Sequence, residues 1–136
     1  MSHKVFISYD HSEDAHYKNL LQGWSNHPRF SFEFDNRSVQ TPINSANASI
    51  VKANITKKMQ EATHLFVIVG KFSYKSDWIV WEISKAKELG LKIAAVKIEK
   101  ANTSPNGLLN IGTSWATSFT EIRIIAALDG AVVGYE

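Results

Sequence analysis

The sequence predicts an α/β fold: a central, mostly parallel sheet of four or five strands with helices on both faces. Three observations carry this expectation. Strand-like and helix-like patterns alternate along the chain as β-α-β-α-β-α-β-(β)-α, and alternation of this kind builds parallel sheets through helical crossovers. The run Leu65-Phe66-Val67-Ile68-Val69 is continuously apolar and β-rich, as a strand covered on both faces must be. No repeat, low-complexity segment or internal linker interrupts the pattern, so the 136 residues read as one domain spanning 1–136.

Each element has its own signal. Val5–Tyr9 is a short β-rich run, broken by Asp10-His11-Ser12. Ser12 is expected to cap a helix whose first turn carries Glu13 and Asp14. Tyr17, Leu20, Leu21 and Trp24 recur at helical spacing along it, and His27-Pro28 ends it. Phe30, Phe32 and Phe34 alternate with polar residues as a second strand with one wetter face. Asp35–Asn47 is a polar loop, after which Ala48, Val51, Ile55, Met59 and Ala62 return to helical spacing. A loop at 70–77 follows the third strand. Trp78–Leu89 reads as a helix closed by Gly90. Ile93–Ile98 is a fourth buried strand, residues 99–112 form a loop, and a short strand lies around Thr113–Thr117. Ser118 and Glu121 have capping-box spacing, opening a last helix with Phe119, Ile122 and Ala126 on its apolar face and its end near Gly130.

Composition narrows the function. Fifteen basic against 13 acidic residues give a net charge of +2, with lysines spread from Lys4 to Lys100, which does not indicate a nucleic-acid binder. There are no cysteines, so thiolate zinc sites, thiol nucleophiles and disulfides are excluded. The five histidines show no metal-ligand spacing and are expected to be solvated or loosely packed, and no metal site is expected. The start of the chain enters a strand pattern directly, without the look of a leader, and the longest apolar run falls far short of the ~20 residues that span a bilayer. A soluble, cytoplasmic protein is expected.

Ligand sites in such folds lie beyond the carboxyl ends of the strands, near a switch in strand order. That directs attention to residues 8–12, 35–44 and 70–78. The usual phosphate-binding devices are missing there. The turn after the first strand, Tyr9–Asp14, contains no glycine and three acids, which excludes a Gly-x-Gly-x-x-Gly fingerprint. Gly70-Lys71 is followed by Phe72, with Leu at position 65, so no P-loop exists. Gly70 also stands where a receiver domain needs its phospho-acceptor Asp, and no Gly-x-Ser-x-Gly elbow is present.

Three stretches stand out. In Ser76-Asp77-Trp78-Ile79-Val80-Trp81-Glu82, Trp78 and Glu82 are four apart and share a helix face. A carboxylate beside an aromatic plane at this edge suits a nucleotide ribose, although a surface glutamate and two half-buried tryptophans would look the same. Val5–Asp14 fits a buried strand leading to a helix. Phe34–Pro42 is a long loop, and a loop of this length without internal structure is more often functional than not.

Together these stretches resemble TIR domains over about residues 4–98, with weaker support to 130. "VFISYDHSED" is similar to the first TIR sequence box, and Asp35-x-Arg37 with Pro42 to the loop after the second TIR strand. "SDWIVWE" has the Ser-x-Trp-x-x-x-Glu spacing of NAD-cleaving members. The wording "SDWIVWEISKAKELG" is especially like the bacterial TIR-like branch that includes the signalling proteins of Thoeris anti-phage systems. The chain departs from receptor-adaptor members in having Pro42-Ile43 without a following Gly, and Ser114-Trp115 where Phe-Trp is usual.

The resemblance implies a flavodoxin-like TIR fold and an enzyme that uses NAD as substrate, with no bound cofactor. It puts the catalytic carboxylate at Glu82 and implies substrate-binding positions at Ser8, Tyr9, Asp10, Asp35, Arg37, Ser76 and Trp78. It further implies TIR–TIR self-association, with the segment 35–44 suspected at the contact, and a separate effector protein reached through a diffusible nucleotide: a cyclic ADP-ribose isomer or a histidine conjugate. Neither a nucleic acid nor a membrane partner is implied. The competing expectation is a non-catalytic TIR interaction module, which needs no carboxylate at position 82. A nucleotide-binding protein without turnover is a third.

Overall fold

The computed structural model describes residues 3–10, 13–24, 30–34 and 41–134. Five strands, β1 (His3–Ser8), β2 (Phe30–Phe34), β3 (His64–Val69), β4 (Lys92–Lys97) and β5 (Ser114–Ala116), form one sheet in the order β2-β1-β3-β4-β5. Every pairing is parallel, and the register sets Ser8 of β1 against Val67 of β3. Helices α1 (Ala15–Gly23), α2 (Ala48–Gln60), α3 (Asp77–Leu89) and α4 (Glu121–Gly130) fill the connections. The α/β expectation holds, with all five strands parallel.

Strand parity divides the core. Val5, Ile7, Phe66, Ile68, Ala94 and Val96 face one side and pack on Leu21 of α1 and Ile124, Ile125, Ala127 and Leu128 of α4. Phe6, Leu65, Val67, Val69, Ile93 and Ala95 face the other and pack on Val51, Ile55 and Met59 of α2 and Ile79, Ile83 and Ala86 of α3. Successive strand residues point to opposite faces, so a strand buried on both must be apolar throughout. All six residues of β3 are buried.

The path matters for the site. The connections from β1 to β2 and from β2 to β3 leave β2 and β3 on opposite sides of β1, so the strand order switches between β1 and β3. The crevice at their carboxyl ends is the expected ligand position.

Local structure follows the expected signals in most places and departs in four. Helix α3 is capped by Ser76, whose hydroxyl accepts from the Ile79 N–H at 3.3 Å, and Gly90 ends it in the left-handed region at φ 76°. At α1, the expected cap Ser12 lies outside the described residues, the helix begins at Ala15, and Leu20 is exposed while only Leu21 of its stripe is fully buried. At α4, the cap is Thr120 rather than Ser118: its hydroxyl accepts from the Arg123 N–H at 3.3 Å, and Glu121 is the first helical residue. The apolar face therefore starts two residues later than expected. Ile122 is 80% exposed and Ala126 is exposed, while Ile124, Ile125, Ala127 and Leu128 are buried. Phe119 lies before the helix, against Tyr17 and Trp24.

The fourth departure is His64, expected to be solvated or loosely packed. It is buried in β3; its Nε2 lies 3.0 Å from the Leu128 carbonyl of α4 and its Nδ1 2.7 Å from the Thr63 hydroxyl. An imidazole in an apolar strand is tolerated because its ring nitrogens find partners.

Candidate active site

Ser8 is the last residue of β1 and shares a sheet face with Phe6, so its side chain points toward α3. Its hydroxyl donates to Glu82 Oε1 at 2.7 Å, and both residues are buried. Glu82 reaches this position because Ser76 starts α3 one residue before Asp77, which places Glu82 in the second turn with Ile79 and Ile83 turned into the core. Hydrogen bonding makes burial of a carboxylate tolerable, and the serine hydroxyl holds its plane.

Trp78 lies one turn earlier on α3 and is half-buried. Its Nε1–H donates to the Thr41 carbonyl at 2.7 Å, and its ring meets Trp81 edge-on with centroids 5.9 Å apart. The indole thus ties the segment before α2 to the helix that carries Glu82. The Lys52 and Lys85 ammonium groups lie 5.8 and 5.7 Å from the Trp81 ring centroid.

Tyr9 is buried, but in the opposite half of the core, with Val5 and Ile7 against α1 and α4. Asp10 is half-buried; its carbonyl accepts the N–H groups of Glu13 and Asp14 at 3.3 and 2.8 Å, making the turn into α1. Ser76 acts as the α3 cap. Asp35 and Arg37 lie outside the described residues. The structure therefore brings Ser8 and Glu82 together, keeps Trp78 on the same helix, and turns the Tyr9 side chain away.

The sequence did not single out Asp14 or Ser73 as site residues. Asp14 stands at the start of α1 and is 6% exposed, yet its side chain makes no cap; Oδ2 is buried without a hydrogen-bond partner among the described residues. The carboxylate lies over Gly70, just past β3, where any Cβ would overlap it. Burial first, then the charges of Asp10 and Glu13, raise its pKa to about 6. Asp14, over Gly70 just past β3, and Glu82, bonded to Ser8 at the end of β1, both lie at the carboxyl end of the β1–β3 pair. Ser73 is buried within a short 3-10 turn; its hydroxyl accepts from the Gly70 N–H at 2.8 Å and donates to the Ile68 carbonyl at 3.1 Å, fixing the loop between β3 and α3.

Among the described residues no group of three or more His, Cys, Asp or Glu side chains is placed to hold a metal ion, and no helix is long and apolar enough to cross a membrane. The chemistry this edge offers is a positioned carboxylate, a hydroxyl and an aromatic plane.

No curated protein matches the chain. Among solved structures it is similar to the 2-deoxyribosyltransferase of Bacillus psychrosaccharolyticus, with 13% identity, 98% of each chain covered and a TM-score of 0.64. It is also similar to the 2-desoxiribosyltransferase of Leishmania mexicana, with 12% identity, 87% of this chain and 77% of that chain covered, and a TM-score of 0.56. These likenesses show the fold. The TIR domains of the activated Roq1 resistosome overlap at 19% identity over 72% of this chain and 60% of that one, with a TM-score of 0.48. The family model described as "Thoeris protein ThsB, TIR-like domain" matches residues 6–103, which takes in the end of β1, all of α3 and the Ser8–Glu82 pair. The chain belongs to the family of TIR-like domains of the Thoeris protein ThsB.

Proposed function

We propose that this chain, acting as a single cytoplasmic domain, is an NAD-consuming enzyme of anti-phage immunity. It cleaves the bond between nicotinamide and ribose C1′ and converts the ADP-ribosyl group into a nucleotide signal for a separate effector protein. The observation that carries the reading is the buried Ser8–Glu82 hydrogen bond at the switch between β1 and β3. Family membership supports the same setting.

The chemistry asks little of the protein. Nicotinamide leaves a pyridinium as a neutral molecule, so no general acid has to protonate it, whereas ordinary glycosidases use two carboxylates. In this reading Glu82 meets the ribose hydroxyls and stabilises the positive charge that grows at C1′. Preorganised groups of this kind are worth about 3 kcal/mol each. Ser8 keeps the carboxylate in one orientation, and Trp78 supplies an apolar wall. Asp10, Ser76, Asp35 and Arg37 remain proposed substrate contacts, with Arg37 suited to the pyrophosphate. The nucleophile that captures C1′ sets the product. Water gives ADP-ribose and a proton. A nucleophilic atom of the same ADP-ribosyl group gives a cyclic isomer. Free histidine gives a conjugate. The proposed product is one of the latter two.

Self-association of TIR domains belongs to this proposal, with segment 35–44 at the contact. The test is mass spectrometry of products from NAD, with and without free histidine, for the wild type and Glu82→Gln. Nicotinamide release by the wild type alone supports the enzyme. Release by neither, in lysate from phage-challenged cells, returns the chain to a TIR interaction module.

A further inference from the structure

A cavity of about 580 Å³ opens beyond the carboxyl ends of β4 and β5. Lys97 at the end of β4, Lys100, Trp115 of β5, Thr117 and Phe119 contribute to its lining. The size is that of a small-molecule site, and the carboxyl edge of a parallel sheet is where such sites occur. Neither Ser8 nor Glu82 reaches it: β3 lies between β1 and β4 in the sheet. Over the end of β3, Val69 accepts the Ile98 N–H and the Asn102 side-chain amide, both at 3.0 Å.

The lining has a definite chemistry. Trp115 is 38% exposed, an unusual openness for an indole on a strand, and Lys97 Nζ stands 5.9 Å from its ring centroid. Lys100 adds a second cation, the hydroxyls of Ser104, Thr117 and Ser118 add polar atoms, and among the described residues no acidic side chain lines the cavity. An aromatic plane invites a flat ring to stack, and lysines beside it act as point charges for a phosphate. A neutral apolar ligand would leave both cations unused, and inorganic phosphate alone would leave the indole bare.

We propose that this cavity binds a mononucleotide, with its base against Trp115 and its phosphate at Lys97 and Lys100. The same chemistry is offered by a free mononucleotide and by the adenylate end of a dinucleotide.

The test follows the Trp115 indole N–H signal of the 15N-labelled full chain during titration with adenosine monophosphate. The signal is assigned by its loss in Trp115→Phe. The expected result is a saturable shift in the wild type and in Glu82→Ala, weakened about tenfold or more by Lys97→Glu and by Lys100→Glu, with adenosine and inorganic phosphate each binding more weakly than the nucleotide. No shift at Trp115, or equal binding by wild type and both lysine variants, overturns the proposal. So does a shift that disappears in Glu82→Ala, because the nucleotide then belongs to the other site. In the Glu82→Ala protein, NAD that displaces the mononucleotide supports the site with a dinucleotide end as occupant. NAD that fails to displace it supports the site with the free mononucleotide as occupant. Because the readout is binding in a variant without Glu82, failure here leaves the NAD-cleavage proposal standing, and failure of that proposal leaves this one.

Discussion

The Ser8 hydroxyl donates to Glu82 Oε1 at 2.7 Å across 74 positions of sequence, joining the end of β1 to the second turn of α3. The bond is buried and lies where the strand order switches. It makes the orientation of Glu82 a property of the sheet as well as of its own helix. Ser8→Ala removes the donor and leaves a buried carboxylate oxygen with one bond fewer. The expected cost is about 1.5–3 kcal/mol in urea unfolding. NAD turnover is expected to fall about tenfold or more in protein that remains folded at the assay temperature, because the carboxylate is no longer held.

Asp14 makes stability depend on pH. Its folded pKa, about 6, lies above the ordinary aspartate value of 3.8, so between those values the folded protein holds more of this proton than the unfolded chain. The stability it contributes is fully present below the lower value, falls as pH rises through the window, and is level above the upper one. Asp14→Asn resembles the protonated acid and carries no such dependence. The variant is expected to gain on the wild type from about pH 4 upward, reaching at most about 3 kcal/mol above pH 7. Denaturant melts at pH 4, 5.5 and 7.5 check it; a constant difference across the series would contradict the raised pKa of the buried carboxylate.

Gly70 has no side chain because Asp14 occupies the space. Gly70→Ala is expected to destabilise by about 1–3 kcal/mol through overpacking. Since the overlap is with the Asp14 carboxylate alone among the nearest atoms, Asp14→Ala in the same chain relieves it. A double-mutant cycle should return a coupling of about 1 kcal/mol or more. Additive effects would show that the two do not meet.

Trp78 anchors the Thr41 carbonyl through its indole N–H. Trp78→Phe keeps an aromatic ring and removes the donor. Hydrogen exchange at 43–47 is expected to speed by about fivefold, matching a loss of about 1 kcal/mol, while the helix interior around Ile83 keeps its protection.

Much of this was legible in the sequence because burial on both faces forces continuous apolar strands, and Gly90 and the helical spacing of Val51, Ile55 and Met59 act locally. The failures involve residues with two local options or distant partners. Ser118 and Glu121 have the right capping spacing, but Thr120 takes the cap and shifts the buried face to Ile124 and Ile125. His64 looks solvated until the Leu128 carbonyl is placed beside it. Asp14 reads as an ordinary acid at a helix start, and only the packing of α1 against the end of β3 reveals its contact with Gly70. Glu82 was visible from its spacing to Trp78; its partner Ser8 requires the parity of β1. Asp35 and Arg37 lie outside the described residues.

The central claim is that Glu82 cleaves the nicotinamide–ribose bond. The most direct measurement is nicotinamide release from NAD by the purified wild type and by Glu82→Gln at high protein concentration. Release by the wild type, reduced at least a hundredfold in the variant with its unfolding free energy within about 1 kcal/mol of the wild type, is the expected result. Equal release by the two proteins would contradict it.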